Sequence, residues 1–262
     1  MYARKVKDYV RAAALKAGYE IVPRHWKPAT QQRPVGSLVP FLEDCRARGF
    51  SPQTVIDVGA NRGEWGEMAK KVFPAANVFL FEPLSEFGPK LSAFCSRHPG
   101  SIYFPAALGA APGSLEMLVH QTSSLDGSTL WGQAEKAQGH SGEWRMVTIE
   151  TMDKLSDEGK VPSAPDLFKI DVQGFELEVL KGARKALSSA GMFILEVSFF
   201  EFWAGQPVFS DVISFMLQHG YCVYDIPGTY RRRLDGALGQ VDLAFVPIAS
   251  PLRSSNLWDP PA

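Results

Sequence analysis

Short apolar runs rich in β-branched and aromatic residues alternate along this chain with segments whose apolar residues recur at helical spacing. We predict that the apolar runs form buried strands and that the helical segments pack against them. The predicted strands cover residues 54–58, 77–83, 101–109 with the turn that ends them, 166–174, 192–198, 221–226 and 241–246. The predicted helices cover residues 67–73, 84–97, 175–190 and 210–220. This alternation predicts an α/β fold.

An insertion interrupts the alternation after the third predicted strand. Residues 114–120 and 145–150 have strand character, and a polar stretch up to residue 142 separates them. We predict an antiparallel hairpin with a long tip, because loops of that length in compact domains are often lids or substrate loops.

The two ends of the chain differ from the middle. Residues 1–18 predict a basic helix whose weak apolar stripe favours packing on the core or on a partner subunit over binding to an anionic membrane. Prolines make residues 22–40 an extended strap, and residues 41–49 predict a short helix. We therefore expect an N-terminal extension at 1–50, one main domain at 51–250 and a loose tail at 251–262.

Composition narrows the possible functions. At 262 residues, of which 45% are hydrophobic, the chain can bury one substantial core. A formal net charge of -1 gives no electrostatic reason to expect nucleic acid. The three widely spaced cysteines argue against a disulfide framework and a structural zinc site, and no apolar run is long enough to span a bilayer. We expect a cytoplasmic protein.

The first predicted strand leads into the stretch Asp-Val-Gly-Ala-Asn-Arg-Gly at residues 57–63. A glycine turn between strand and helix places backbone N–H groups where a ligand can approach them closely. Asn61 stands where a dinucleotide fingerprint needs its second glycine, which argues against a pyrophosphate. Asp57 favours a ligand with positive charge, such as S-adenosylmethionine. A turn that only joins strand to helix is the alternative.

The second predicted strand ends at Glu82, about twenty-five residues after Asp57. In doubly wound sheets a carboxylate at this place binds the ribose hydroxyls of an adenosine ligand. We predict that role for Glu82, although an acid after a strand is also ordinary turn chemistry. Ala106 and Ala107 follow the third strand, where their small side chains suit contact with the adenine.

If S-adenosylmethionine methylates a hydroxyl here, that hydroxyl needs a general base or a metal before it can act as a nucleophile. Asp171, at the end of the fourth predicted strand, is our first candidate for the base, and Glu196 and Lys169 follow it. Asp171 can equally bind the cofactor or cap the next helix, and Glu196 can be structural. His120 and His140 in the insertion are further candidates, and a divalent metal held by carboxylates is possible but not indicated.

Two surface features bear on the acceptor. Phe199, Phe200, Phe202 and Trp203 follow the fifth predicted strand, where aromatic faces suit sugar rings, and core packing is the alternative. The triplet Arg231, Arg232 and Arg233 can bind a phosphate on the acceptor or form a solvated hairpin tip.

The motifs in this order resemble the FkbM family of S-adenosylmethionine-dependent methyltransferases. The matching stretches are residues 55–63, 81–83, 106–109, 122–125, 148–153, 169–174, 180–183 and 240–245. The sequence Lys-Ile-Asp-Val-Gln-Gly at 169–174 makes the resemblance specific, since many class I methyltransferases share the first two stretches. Residues 1–49 lie outside it.

The resemblance implies a Rossmann-like class I fold: a doubly wound, mostly parallel seven-stranded sheet whose last hairpin supplies one antiparallel strand. It also implies O-methylation of a sugar, glycan or natural-product hydroxyl. Ser123 and Ser124 would close over the methionine end of the cofactor. We expect the cofactor-binding residues to be Asp57, Gly59, Ala60, Asn61, Gly63, Glu82, Pro83, Ala107, Ser123, Ser124 and Asp171.

Three other functions remain open at this point. A methyltransferase with a nitrogen or carboxyl acceptor needs little or no base and would tolerate Asp171→Asn. A catalytically silent module would keep the cofactor contacts beside a pocket without a usable base. A nicotinamide dehydrogenase is disfavoured by the missing glycine at Asn61. A dimer through the N-terminal extension is also possible.

Overall fold

The computed structural model describes residues 33–120, 128–130 and 142–257. The chain divides into two compact units, Met1–Pro34 and Val35–Ala262, and every element below belongs to the second. The predicted helix at 1–18, most of the predicted strap, and Ser123, Ser124 and His140 lie outside the described residues.

The strands found in the described residues bear out the predicted alternation. They are β1 (Thr54–Val58), β2 (Asn77–Phe81), β3 (Ile102–Phe104), β4 (Ala107–Leu108), β5 (Gly113–His120), β6 (Gly142–Glu150), β7 (Leu167–Ile170), β8 (Met192–Ser198), β9 (Tyr221–Arg231) and β10 (Leu238–Pro247). Seven of these strands form the main sheet in the order β3-β2-β1-β7-β8-β10-β9. Strand β10 runs antiparallel to both neighbours, and the remaining pairs given for this sheet are parallel, as predicted.

Apart from the first, which precedes β1, the helices of the described residues lie between these strands along the chain. They are α1 (Leu38–Ala47), α2 (Glu64–Val72), α3 (Gly88–Arg97), α4 (Met152–Asp157), α5 (Glu176–Lys181), α6 (Arg184–Leu187) and α7 (Phe209–Gln218). Short 3₁₀ turns occupy Ser85–Phe87 and Pro251–Arg253. Among these helices, none has both the length and the apolar character needed to cross a membrane.

The strand order reverses beside β1, since β2 lies on one side of it and β7 on the other. Right-handed crossovers in opposite directions place the following helices on opposite faces of a sheet, which makes it doubly wound. The reversal also leaves a crevice outside the carboxyl ends of β1 and β7. Ligands of open α/β sheets bind at such a point.

The predicted inserted hairpin is present and belongs to a second small sheet of order β4-β6-β5. Strands β5 and β6 pair antiparallel from Gly113 opposite Ile149 to His120 opposite Gly142. Residues 128–130 return to this hairpin, where Thr129 forms a bridge with Leu118. The insertion therefore stands beside the main sheet and adds a wall to the crevice.

The third predicted strand is confirmed as β3, but the turn predicted to end it contains the short strand β4, which belongs to the second sheet. Strand β3 pairs with β2 in the main sheet, whereas β4 pairs with β6. Pro105, which lacks an N–H group, lies between them and cannot continue the ladder.

The predicted helix at 175–190 is wrong as a continuous element. It breaks between α5 and α6 at Gly182, where a Cβ atom would lie 2.0 Å from the carbonyl oxygen of Gly109. The carbonyl of Gly182 instead accepts a hydrogen bond of 2.9 Å from the N–H of Asp153. A tertiary contact that needs bare backbone has overridden a locally helical pattern.

The end of the predicted strap is wrong as well, because α1 begins at Leu38 and includes Pro40. Proline is tolerated in the first turn of a helix, where its missing N–H has no intrahelical partner. Phe41, Leu42 and Cys45 of α1 are buried in the main core. The predicted division into an extension, a domain from residue 51 to 250 and a tail stays a prediction.

Candidate active site

A cavity of about 550 Å³ opens at the point where the strand order reverses. Its walls come from the residues that follow β1, β2 and β7, from Glu196 of β8, from the β9–β10 hairpin and from the segment 128–130. This volume is within the range of small-molecule sites. Because the lining combines polar groups with apolar residues such as Met117 and Leu130, it suits a ligand of mixed character.

The turn after β1 brings backbone to the cavity. Gly59 has φ +72°, and a Cβ atom there would lie 1.9 Å from the carbonyl oxygen of Asp171. Asn61 has φ +48°, a left-handed conformation that Asn adopts more readily than most residues. Gly63, with φ +80°, precedes α2 and packs against Leu91. Glycine or asparagine is therefore favoured at these three positions, because the backbone of the turn has positive φ at each of them.

Glu82 follows β2 and is buried at the wall of the cavity. Its Oε2 accepts a hydrogen bond of 2.9 Å from the N–H of Asn61, and its Oε1 accepts one of 3.0 Å from the N–H of Leu84. Burial raises the pKa of Glu82 to about 7, although both hydrogen bonds oppose the shift. Glu82 thus fixes the turn at Asn61 and changes charge near neutral pH.

Asp57 and Lys169 form a buried ion pair beneath the same turn. They lie opposite each other on β1 and β7, with Lys169 Nζ 3.0 Å from Asp57 Oδ1. Nζ also donates hydrogen bonds to the carbonyl oxygens of Val58 at 3.1 Å and Gly59 at 2.8 Å. Within the described chain, neither oxygen of Asp57 accepts a well-aligned hydrogen bond. The ion pair therefore stabilises the start of the turn through the hydrogen bonds of Lys169. Neither residue lines the cavity.

Both members of this pair have shifted pKa values. Burial raises the pKa of Asp57, and the Lys169 ammonium opposes that shift. Burial disfavours the charge on Lys169, but the carboxylates of Asp57 and Asp171 outweigh it and raise its pKa. Lys169 therefore stays protonated and donates hydrogen bonds rather than accepting a proton.

A second turn, Asp-Val-Gln-Gly at residues 171–174, lies directly beside the first, and the N–H of Asp171 donates a hydrogen bond of 3.1 Å to the carbonyl oxygen of Val58. Glu176, buried at the start of α5, accepts hydrogen bonds from the N–H groups of Val172 at 3.2 Å and Gly174 at 3.1 Å. The hydroxyl of Thr129 donates a bond of 2.7 Å to the carbonyl oxygen of Gln173, which has φ +55°. These bonds fix Asp171 and Gln173 at the cavity wall.

Glu196 stands at the centre of a hydrogen-bonded network on the side of the cavity opposite Glu82. Its Oε2 accepts bonds of 2.6 Å from Gln173 Nε2 and 2.7 Å from Gln240 Nε2. Gln173 Nε2 also donates to Asp171 Oδ1 at 2.9 Å. One amide nitrogen therefore ties the carboxylates of Asp171 and Glu196 together.

Burial and neighbouring negative charges act on Glu196. Burial, followed by the charges of Asp171, Asp242 and Glu176, raises the pKa of Glu196 well above its ordinary value. Asp242 lies opposite Glu196 in the β10–β8 register and accepts a bond of 3.3 Å from the hydroxyl of Tyr230. Burial and then the charge of Asp171 raise the pKa of Asp242 to about 6. Groups that can exchange a proton near neutral pH thus cluster here.

Most of the residues predicted for the site lie around one cavity. Those that line it are Gly59, Asn61, Glu82, Pro83, Ala107, Asp171 and Glu196. Ala60 and Gly63 lie in the first turn behind the wall. His120, at the end of β5, has its ring centroid 6.0 Å from that of Trp203. The predicted contributions of Ser123, Ser124 and His140 fall outside the described residues.

Four polar residues of the wall are not among the predicted site residues: Ser128, Gln173, Tyr230 and Gln240. Gln173 and Gln240 lie in the family stretches 169–174 and 240–245, but neither has a predicted role. The sequence does contain a signal for Gln240. Gln240 and Asp242 alternate with apolar residues in β10, and polar residues on one face of a buried strand need hydrogen-bond partners. Within the described residues, no cluster of His, Cys, Asp and Glu side chains is arranged to hold a metal ion.

Comparisons with known proteins assign the central part of this chain to one protein family. The family model described as the methyltransferase FkbM domain matches residues 57–223, which is more than half of the chain. A solved structure described as methyltransferase FkbM from Methylobacillus flagellatus is 16% identical, with a TM-score of 0.48, over 73% of this chain and 43% of that one.

Two curated relatives are similar over part of the chain. The hexuronic acid methyltransferase AglP of Haloferax volcanii is 33% identical over 141 residues, which is 54% of this chain and 54% of that protein. The 2-O-methyltransferase NoeI of Sinorhizobium fredii is 26% identical over 196 residues, which is 69% of this chain and 75% of that protein. The chain thus spans about half the length of AglP and three quarters of that of NoeI.

Proposed function

The chain belongs to the FkbM methyltransferase family, and we propose that it transfers a methyl group from S-adenosylmethionine to a hydroxyl of a sugar or glycan. The observation that carries the proposal is the pair of carboxylates, Asp171 and Glu196, held by Gln173 at the wall of a cavity that also contains the Gly59 turn and Glu82. The names of the two curated relatives, one acting on a hexuronic acid and one a 2-O-methyltransferase, support a sugar acceptor.

The residues on one side of the cavity fit the cofactor. Gly59 brings its backbone to the cavity wall, and Glu82 offers a carboxylate for two ribose hydroxyls. We assign the methionine portion to Asn61 and to the turn formed by residues 59–63. Asp57 supports that turn through Lys169. Pro83 and Ala107 complete the wall for the adenosine portion.

The chemistry that remains for the protein is positioning and removal of a proton. When bound, S-adenosylmethionine supplies a methyl group activated by the positive charge of its sulfonium. Aligning the acceptor oxygen contributes several kcal/mol, with an upper range of roughly 7–11 for ideal geometry. The opening between Asp171, Glu196 and Tyr230 is the place for that oxygen.

Asp171 and Glu196 together accept the proton of the acceptor hydroxyl. The negative charge of Asp171 disfavours ionisation of Glu196 and contributes to the raised pKa of Glu196. The raised pKa of Glu196 makes it a stronger base than an exposed carboxylate once its own proton has left. Lys169, protonated and bonded to Val58, Gly59 and Asp57, does not serve as the base; it holds the cofactor turn.

Binding of S-adenosylhomocysteine, measured by calorimetry with NAD as control, tests the cofactor half of the proposal. We expect micromolar affinity, about -8 kcal/mol, that is lost in Glu82→Ala and Asp57→Ala and is absent for NAD. No binding to the folded wild-type chain contradicts the methyltransferase proposal and favours a partner-binding module.

Transfer of a labelled methyl group to a panel of sugars tests the acceptor half. We expect Asp171→Asn and Glu196→Gln to keep their affinity for S-adenosylhomocysteine and to lose activity by about 10²–10⁴-fold, the usual contribution of a general base. If both variants remain active, a nitrogen or carboxyl acceptor is favoured. If the wild-type chain binds S-adenosylhomocysteine but methylates no acceptor, a cofactor-binding module is favoured.

A further inference from the structure

We propose that an exposed aromatic surface beside the cavity, formed by Phe199, Phe200, Phe202 and Arg232, binds further sugar rings of an oligosaccharide acceptor. We call these four residues the aromatic platform. The inference rests on the proposed function, because it extends the acceptor site beyond the ring that is methylated.

The phenylalanines of the platform are exposed although they follow a fully buried strand. Phe199 is 38% exposed, Phe200 37% and Phe202 41%, whereas the residues of β8 before them are buried. Large apolar side chains gathered at the surface next to a ligand site indicate a binding surface. Core packing, the alternative for this cluster, accounts for one face of Phe199, which stacks on Phe209 with ring centroids 4.7 Å apart, but not for the exposed surface of the three rings.

The backbone holds these side chains in a defined arrangement. The N–H of Phe199 donates a hydrogen bond of 2.9 Å to the carbonyl oxygen of Gly239, and the N–H of Phe202 donates one of 3.0 Å to Phe200. A Cβ atom on Gly239 would lie 3.6 Å from the ring of Phe202 and 3.0 Å from Cγ of Arg232. The absence of a side chain at Gly239 lets the strand-end loop and the hairpin approach each other closely.

Arg232 gives the platform a polar component. Its guanidinium lies 4.2 Å from the centroid of the Phe200 ring, as in a cation–π contact, and 3.5 Å from Asp235. A guanidinium held in this way keeps several N–H donors, which suit sugar hydroxyls and carboxylates. Aromatic faces beside fixed hydrogen-bond donors match the apolar faces and polar edges of pyranose rings.

The residues of the platform lie close along the chain to residues of the cavity wall. Gly239 is followed by Gln240, which binds Glu196, and Tyr230 of the cavity wall lies two residues before Arg232. Phe199 is three residues after Glu196, which corresponds to about 10 Å along a strand. Two linked pyranose rings cover such a span, so one ring can occupy the cavity while the next contacts the platform.

The size of the platform favours a carbohydrate over a second copy of the chain. A phenylalanine that is two-fifths exposed contributes roughly 60–100 Å² of surface. Three of them offer far less than the about 800 Å² per partner that a stable protein interface buries. An oligosaccharide needs only a few such faces.

Ligand-observed NMR with the full chain and S-adenosylhomocysteine tests this proposal. The probes are glucuronic acid, a hyaluronan tetrasaccharide and cellotetraose. We expect at least one tetrasaccharide to bind about tenfold more tightly than glucuronic acid, and Phe200→Ala and Phe202→Ala to abolish that advantage. Leu234→Ala, at an 81% exposed position near the tip of the same hairpin, is the matched control and should bind like the wild type.

The outcomes separate this proposal from the proposed function. The platform is refuted if no tetrasaccharide binds, if the phenylalanine variants bind like the wild type, or if they change the molecular mass in light scattering, which would identify an interface between copies. Affinity for S-adenosylhomocysteine should be the same in all variants. If the wild-type chain does not bind S-adenosylhomocysteine, the proposed function is refuted, whereas the carbohydrate surface is not.

Discussion

The side-chain nitrogen of Gln173 lies 2.6 Å from Oε2 of Glu196 and donates a hydrogen bond to it. The same nitrogen donates to Asp171. Gln173 adopts φ +55°, a conformation that few residues other than glycine and asparagine take readily. A backbone in an uncommon conformation thus aims one amide at two carboxylates, which indicates that Gln173 positions the proposed base.

Shortening Gln173 should change the pH dependence of methyl transfer. Asn tolerates the left-handed conformation but lacks the reach to bridge both carboxylates, so Gln173→Asn removes two bonds that stabilise their charge. Without them the pKa of Glu196 rises further, and the acidic limb of the pH–rate profile should move to higher pH by about one unit. The groups facing Glu196 from other elements, Asp171, Glu176, Asp242, Tyr230 and Lys169, are unchanged in this variant.

Gln206→Asn is the control for this prediction. Gln206 is another buried glutamine, and its Nε2 donates to Ser198 and not to a carboxylate. Its shortening should leave the acidic limb in place even if the variant is less stable. A Gln173→Asn enzyme that loses activity equally at every pH would show that Gln173 is merely structural.

Binding of S-adenosylhomocysteine should strengthen as the pH rises through about 7. The pKa of Glu82 is raised to about 7 in the folded chain, so below this pH the carboxyl is mostly protonated. Ribose hydroxyls donate to the ionised form, which means that binding at low pH must first release a proton. Affinity should therefore increase about tenfold between pH 6 and pH 8.

Calorimetry in buffers of different ionisation enthalpy measures the proton that is released on binding. Glu82→Gln, which cannot ionise, should bind weakly and with no such release. An affinity that is flat from pH 6 to 8 in the wild type would mean that Glu82 does not contact the ribose.

The sequence was sufficient to locate the groups that lie at strand ends. Glu82, Asp171 and Glu196 come at or near the ends of short apolar runs, and the carboxyl ends of parallel strands meet at one edge of a sheet. The pattern also predicted the α/β fold and the inserted hairpin, whereas the mostly parallel sheet was implied by the resemblance to the FkbM family. These are local features, readable within ten or fifteen residues.

The features that sequence reasoning missed depend on distant contacts. Gln240 reaches Glu196 through the β10–β8 register, which a single strand pattern does not determine. The break at Gly182 follows from the approach of Gly109, which is more than seventy residues away in sequence. Asp57 has the expected place near the end of β1, but only the structure shows that it is paired with Lys169 and does not line the cavity.

Gly59→Ala should disrupt the cofactor side of the site. The new Cβ atom would lie 1.9 Å from the carbonyl oxygen of Asp171, at a backbone φ of +72°. The strained conformation alone costs about 1–3 kcal/mol, and the clash must displace one of the two turns. We expect a lower unfolding free energy and loss of S-adenosylhomocysteine binding, measured by urea denaturation and calorimetry.

Gly113→Ala provides the matched comparison. Gly113 begins β5, and its Cβ atom would meet nothing within 4 Å. This substitution should be neutral or slightly stabilising, because it restricts the unfolded chain. Retention of full cofactor affinity by Gly59→Ala would contradict the assignment of the first turn to the cofactor.

Replacing only one partner of the ion pair between Asp57 and Lys169 should lower the free energy of unfolding strongly. Lys169→Met leaves the carboxylate of Asp57 buried without a compensating charge and removes the donors to Val58 and Gly59. Removing one partner of a buried pair typically costs about 3–5 kcal/mol. The double variant Asp57→Asn with Lys169→Met should be less destabilised than Lys169→Met alone, because no uncompensated charge remains.

Urea denaturation of the wild type, the two single variants and the double variant gives the coupling free energy between the two residues. Additive effects of the two substitutions would show that the contact is not the source of the stability, and the turn would then depend on its glycines alone.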